Sequence, residues 1–169
     1  SGELGIDGKA QLAMLHALAQ ASGSHGMAGG QAIDLASVGQ ALSLPELEQM
    51  HIRKTGALIR AAVTLGRLSG AALSDEQASK LDHFAKCIGL AFQVIDDVLD
   101  AEASSSTLGK TAGKDAANDK PTYVSLMGLK QAKQLAQELE ADALASLAIF
   151  GDKAQRLSQL AQFIVSRSF

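Results

Sequence analysis

Apolar residues recur at helical spacing in a series of segments, each with its own start and stop signals. Leu12, Leu15 and Ala19 share one face of a helix expected over residues 8–22, with Asp7 placed to cap it. Gly23, Gly26, Gly29 and Gly30 then loosen the chain. A short second helix opens with Gly29-Gly30-Gln31-Ala32-Ile33-Asp34-Leu35, in which Gln31 and Asp34 lie three apart and are expected to hydrogen-bond adjacent helices. Ser43-Leu44-Pro45-Glu46 is a capping box with proline in the first turn, starting a helix that runs to about Ser69 and kinks near Gly56. A second box, Ser74-Asp75-Glu76-Gln77, starts a helix reaching about Asp100, which at 1.5 Å per residue is ~40 Å long. Residues 101–120 read as a polar loop, too long for a simple connector and of the kind that forms lids. Pro121 opens a helix, and breaks are expected near Gly128 and Gly151. Residues 129–149 form an amphipathic, alanine-rich helix. The last helix spans 152–166, with Asp152 as its cap and Leu157, Leu160, Phe163 and Ile164 facing inward.

One segment breaks the amphipathic rule. In Ile88-Gly89-Leu90-Ala91-Phe92-Gln93-Val94-Ile95-Asp96-Asp97-Val98-Leu99-Asp100, the polar residues Gln93, Asp96, Asp97 and Asp100 fall on a narrow stripe, and apolar side chains fill the rest of the circumference. Desolvated carboxylates cost several kcal/mol unless partnered. The nearest cations in sequence are Lys86 and Lys110, neither within a turn. The charge that compensates the stripe must come from elsewhere, and Mg²⁺ fits because it prefers carboxylate and water oxygens. Carboxylates near a helix C-terminus also oppose the macrodipole, a further sign of an expected cation. A short acidic pattern in a solvated face is the bland alternative; the flanking apolar residues and the longer FQxxDDxxD pattern count against it.

Composition adds the fold class. Hydrophobic residues make up 47% and aromatics only 4%, with no Trp and two prolines. Such aliphatic, helix-forming content points to an all-α protein. A net charge of −3 argues against a general nucleic-acid binder. The single cysteine, Cys87, excludes an internal disulfide framework, suits a reducing cytoplasm and reads as a small core residue. No apolar run approaches the ~18 residues of a membrane span. The four histidines form no zinc-type array, and Gly109-Lys110-Thr111 lacks the upstream glycine and strand of a phosphate-binding P-loop. Lys54 and Thr55 stand between the apolar turns of Met50, Ile52, Leu58 and Ile59, so Lys54 needs an anionic partner.

Together these segments resemble the trans-type polyprenyl diphosphate synthases. The carrying stretches are GMAGGQAIDL (26–35), HIRKTGALIRAAVTLGRLSGA (51–71), GLAFQVIDDVLD (89–100), TLGKTAGKDAANDKPTYVSLMGL (107–129) and the ending AQFIVSRSF. The likeness covers nearly the whole chain, in the family's order, and is greatest to bacterial members that make the C15 product. It implies the helical bundle of isoprenoid synthases. It also implies a Mg²⁺-dependent condensation of an allylic diphosphate with isopentenyl diphosphate, carried out in the cytoplasm by a homodimer. By position it assigns Asp96, Asp97 and Asp100 to Mg²⁺, and Lys54, Thr55, Gln93, Lys110 and Lys120 to the allylic diphosphate.

The family's first aspartate-rich motif is missing, along with the arginine pair after it and the basic residues that hold isopentenyl diphosphate; Asp96-Asp97 is the only adjacent aspartate pair. The 169 residues are therefore expected to be the C-terminal half of a single, larger synthase domain, inactive alone. Competing expectations are a synthase of geranylgeranyl or longer products, a non-catalytic subunit of a heteromeric prenyltransferase, and a class I terpene cyclase. The intact second motif counts against the subunit. The absence of Trp and of an NSE-type motif counts against the cyclase.

Overall fold

The computed structural model describes residues 5–107 and 121–167. Among these residues all regular structure is helical, as the composition predicts. The order is α1 (Gly8–Ser22), α2 (Met27–Ala36), α3 (Leu44–His51), a π turn (Ile52–Gly56), α4 (Ala57–Ser69), α5 (Asp75–Thr107), α6 (Tyr123–Met127), α7 (Leu129–Leu147), a 3₁₀ segment (Ala148–Ala154) and α8 (Gln155–Ser166). The expected starts hold where a side chain supplies the missing acceptor. Asp7 accepts from the Lys9 amide at the head of α1. Glu46 accepts from the Ser43 amide, and Ser74 and Gln77 exchange reciprocal bonds before α5. Thr122 rather than Pro121 caps α6, exchanging the same pair of bonds with Ser125.

Helix α5 is the axis of the molecule. Its Val94, Ile95 and Val98 join Leu47 and Met50 of α3, Tyr123 of α6, and Ala132 and Ala136 of α7 in one core cluster. Its Phe84, Cys87 and Ile88 join Ala143 and Leu147 of α7, Ala154, and Ala161 and Ile164 of α8 in a second. Alanines at the α5–α7 crossing let two backbones approach, so larger aliphatics pack at the sides. Cys87 is buried and unpaired, the small core residue expected. The helix also runs to Thr107, seven residues past the expected end. The first part of the anticipated 101–120 loop is thus helical: Ala101 to Thr107 are good or neutral helix formers with no breaker among them. The rest of that loop, with Lys110, Lys114 and Lys120, lies outside the described residues.

Two other expectations fail for reasons of packing. Leu160 and Phe163 are 47% and 65% exposed rather than inward. Helix α8 approaches its neighbours along Leu157, Ala161 and Ile164, where the small Ala161 permits the closest contact; Leu160 and Phe163 stand on the flank. Asp152 does not begin that helix, because Gly151 takes φ +54 and the chain passes through a 3₁₀ segment before α8 starts at Gln155. On α1, Ala21 is buried, whereas Leu12, Leu15 and Leu18 form an exposed apolar face.

The kink expected near Gly56 is a full π turn over Ile52–Gly56. Such widened turns are rare and re-aim the side chains they carry. Here α2 is pressed against it. A Cβ at Gly30 would lie 2.2 Å from the Lys54 backbone nitrogen, so only glycine fits. Gly30→Ala should push α2 off the π turn and cost roughly 1–3 kcal/mol through overpacking. Urea unfolding measures it, and an unchanged midpoint would mean that α2 can yield without loss.

Candidate active site

A cavity of about 610 Å³ opens where the C-terminal third of α5 faces the π turn, α2 and the start of α6. Its walls include Lys54, Gln93, Asp96, Asp97 and Asp100, five of the residues singled out from the sequence. Asp34, His51, Thr122 and Ser125 line it too. Thr55 is half-buried and is not among the residues lining this cavity. Lys110 and Lys120 fall outside the described residues.

The anionic partner that Lys54 requires is Asp34. The Lys54 ammonium donates to the Asp34 carboxylate at 2.8 Å, and Asp34 is only 7% exposed. A carboxylate buried so deeply on α2 would be costly without a cation. The expectation that Asp34 bonds a neighbouring helix thus holds, while Gln31 stands exposed on α2. The lysine side chain keeps a third of its surface accessible at the cavity wall.

The three aspartates of α5 have different surroundings. Asp97 accepts a hydrogen bond from the Tyr123 amide at 2.7 Å. Burial nonetheless pushes its pKa up to about 6; the amide bond opposes this, and the charges of Asp100 and Asp96 add to it. Asp96 meets a counter-charge that the sequence did not suggest: the guanidinium of Arg167, just past α8 and 71 positions along the chain. The same Arg167 Nη2 donates to the Phe92 carbonyl at 3.0 Å, and the guanidinium carbon lies 4.2 Å from the centre of the Phe92 ring. Burial raises the Asp96 pKa and Asp100 adds to the rise, against the lowering influence of Arg167. Asp100 itself is exposed.

Helix α6 is fastened to this wall twice: by its Tyr123 amide on Asp97, and by the Tyr123 ring, 1% exposed, stacked on His51 at 5.6 Å. Burial chiefly lowers the His51 pKa, against the raising influence of the Gln93 hydrogen bond. No periodicity in the sequence could reveal these contacts. Arg167 is one arginine after an apolar helix, and His51 sits in a run of cations that reads as solvated.

Among the described residues no three His, Cys, Asp or Glu side chains are gathered as a ready metal cage. Asp96 is turned to Arg167 and Asp97 to Tyr123. The donor set still fits a hard divalent cation. Its carboxylates line one cavity, and oxygen donors of this kind suit such an ion.

An all-α bundle around one long helix, with acidic residues on that helix facing a paired lysine, agrees with the isoprenoid-synthase fold that the sequence resemblance implies. Comparison with known proteins makes the assignment specific: a family model described as polyprenyl synthetase matches residues 6–155, and the chain belongs to that family. A Bradyrhizobium diazoefficiens protein named "Probable farnesyl diphosphate synthase" is 47% identical over 94% of this chain and 49% of its own length. A chloroplastic geranylgeranyl pyrophosphate synthase of Catharanthus roseus is 45% identical over 96% of this chain and 46% of its own. Among solved structures, an FPP/GFPP synthase from Zymomonas mobilis superimposes with a TM-score of 0.80 at 38% identity, covering 94% of this chain and 52% of that one. A geranyltransferase from Helicobacter pylori, complexed with magnesium and isoprenyl diphosphate, gives 0.73 at 30% identity, covering 95% and 52%. The chain thus spans about half the length of the curated relatives it matches.

The raised pKa of Asp97 has a signed consequence. The folded state holds a proton that the unfolded chain releases at the ordinary carboxylate value of about 4. The stability this contributes is full below that value and is lost as pH rises through about 6. Asp97→Asn keeps an acceptor for the Tyr123 amide but cannot titrate. Without divalent cations, the melting temperature of the parent relative to Asp97→Asn should therefore fall between pH 4 and pH 7. A difference independent of pH would contradict the burial assigned to this carboxylate.

Proposed function

We propose that this chain is the C-terminal portion of a single prenyltransferase domain, and that the longer protein condenses an allylic diphosphate with isopentenyl diphosphate to give farnesyl diphosphate. The observation that carries the reading is the placing of Asp96, Asp97 and Asp100 on one wall of a cavity that Lys54 enters from another. Asp96, Asp97 and Asp100 would hold Mg²⁺, which when bound supplies charge stabilisation to the oxygens of the departing diphosphate.

The chain's own residues account for the rest. Lys54, anchored through Asp34, presents a fixed positive charge to the diphosphate, so little reorganisation is needed as negative charge builds on the leaving group. Gln93, on the same stripe, adds a polar contact, with Lys110 and Lys120 supplying further cations. Met50 and Leu42 line the cavity beside these polar groups and would help keep water from an allylic cation. Thr55, next to Lys54 on the same turn, stays in the proposal as a polar contact to the diphosphate.

Because farnesyl and geranylgeranyl synthases are similar to this chain at 47% and 45% identity, this half supports a C20 product almost as well as C15. The lone cysteine suits a cytoplasmic protein, and no helix among the described residues is long and apolar enough to cross a membrane. The exposed leucines of α1 supply apolar surface for the remainder of the domain and for a homodimer.

The test is a chimera in which this chain replaces the corresponding half of a related synthase. It should convert geranyl and isopentenyl diphosphates to a prenyl diphosphate whose length chromatography reads, while the 169-residue chain alone should be inactive. In the chimera, Asp96→Ala should lower kcat by roughly two to four orders of magnitude with the fold intact. Lys54→Ala should mainly raise KM for the allylic substrate. Activity in the isolated chain, or near-normal turnover in Asp96→Ala, would overturn the reading.

A further inference from the structure

The guanidinium of Arg167 holds one oxygen of the Asp96 carboxylate, the group proposed to bind a metal ion, from the flank of α5 away from the acidic cavity. It donates to the Asp96 carboxylate and to the Phe92 carbonyl, and it lies 4.2 Å over the Phe92 ring, so three contacts hold one side chain. The Arg167 side chain is only 21% exposed, and its Nε is buried with no hydrogen-bond partner among the described residues. It also arrives from outside the helix it serves: α5 carries the acids, whereas the charge comes from the chain just after α8.

We infer that Arg167 is an internal counter-ion for Asp96 that a divalent cation must displace, so that metal binding and release of the Arg167 side chain from α5 are one linked event. The physics is competition. A partly desolvated acid gains from a positive neighbour. With no metal, Arg167 supplies it. A divalent ion bound to Asp96 removes the attraction that holds the guanidinium and places like charge beside it. Linkage then requires reciprocity: whatever free energy the ion pair contributes is subtracted from the metal's affinity, and the metal weakens the hold of α5 on Arg167 by the same factor. The inference rests on the reading that Asp96 binds Mg²⁺, and adds that the site carries its own competitor for that ion.

The experiment is a titration of the ¹⁵N-labelled chain with MgCl₂, followed by NMR, on the parent and on Arg167→Gln and Arg167→Lys. For a partly buried ion pair, Arg167→Gln should bind Mg²⁺ about three- to tenfold more tightly than the parent. Arg167→Lys, which keeps the charge but loses the fork and the flat face, should fall between them. The Arg167 Nε–H resonance of the parent, assigned by its loss in Arg167→Gln, should move as Mg²⁺ saturates the backbone signals of Asp96 and Asp97. Equal affinity in parent and Arg167→Gln, or weaker binding in the variant, would overturn the inference while leaving the metal reading intact. Absence of Mg²⁺-dependent shifts from all three proteins would sink the metal reading and the inference with it.

Discussion

Placing negative charge on the central helix of a bundle is the constraint to which the other features answer. Helix α5 has to be apolar on most of its surface, because it contributes to both core clusters. Its C-terminal third nevertheless carries three carboxylates on a single stripe. Each acid is reconciled with that setting differently: Asp96 by an arginine from the far end of the chain, Asp97 by a backbone amide and a raised pKa, Asp100 by exposure. On the facing wall the buried Asp34 is met by Lys54. Polar groups that would weaken an ordinary core thus become paired walls of a cavity, with partners drawn from α2, the π turn, α6 and the residue after α8.

Local signals in the sequence translated well wherever the physics is local. Asp7, Ser43 with Glu46, and Ser74 with Gln77 begin helices because short-range side-chain bonds satisfy the first amides, and those bonds need no tertiary context. The acid stripe was legible for the same reason, since helical spacing alone puts Gln93, Asp96, Asp97 and Asp100 together. Contacts between distant segments were not. Arg167 reaches Asp96 across 71 positions, and Tyr123 reaches Asp97 across 26. The inward face of α8 was misjudged because Leu160 and Phe163 are large, whereas close helix packing selected the stripe centred on a small residue, Ala161.

The π turn shows how local irregularity and chemistry are connected. A regular helix through Ile52–Gly56 would carry Lys54 on a different bearing. Gly30 removes the side chain that would keep α2 away from this turn, and Asp34, one helical turn further on, then reaches the ammonium. Close approach, turn type and ion pair depend on one another. The result is a lysine whose charge is held near the cavity by protein bonds rather than by the ligand, which reduces the reorganisation required when an anion arrives.

Folding and binding draw on largely separate parts of the molecule. Both core clusters are sealed by α5, α7, α3 and α8, with Tyr123, Phe84, Leu47 and Val94 almost fully buried, so the chain has an apolar core of its own. The acidic stripe lies outside those clusters, against the cavity. The unsealed surface is elsewhere: Leu12, Leu15 and Leu18 stand side by side on α1, a continuous apolar strip instead of scattered exposed leucines. A chain built in this way can hold its site residues in place with part of the bundle's surface still uncovered. Substitutions on the stripe should therefore change what the cavity binds long before they change whether the protein folds.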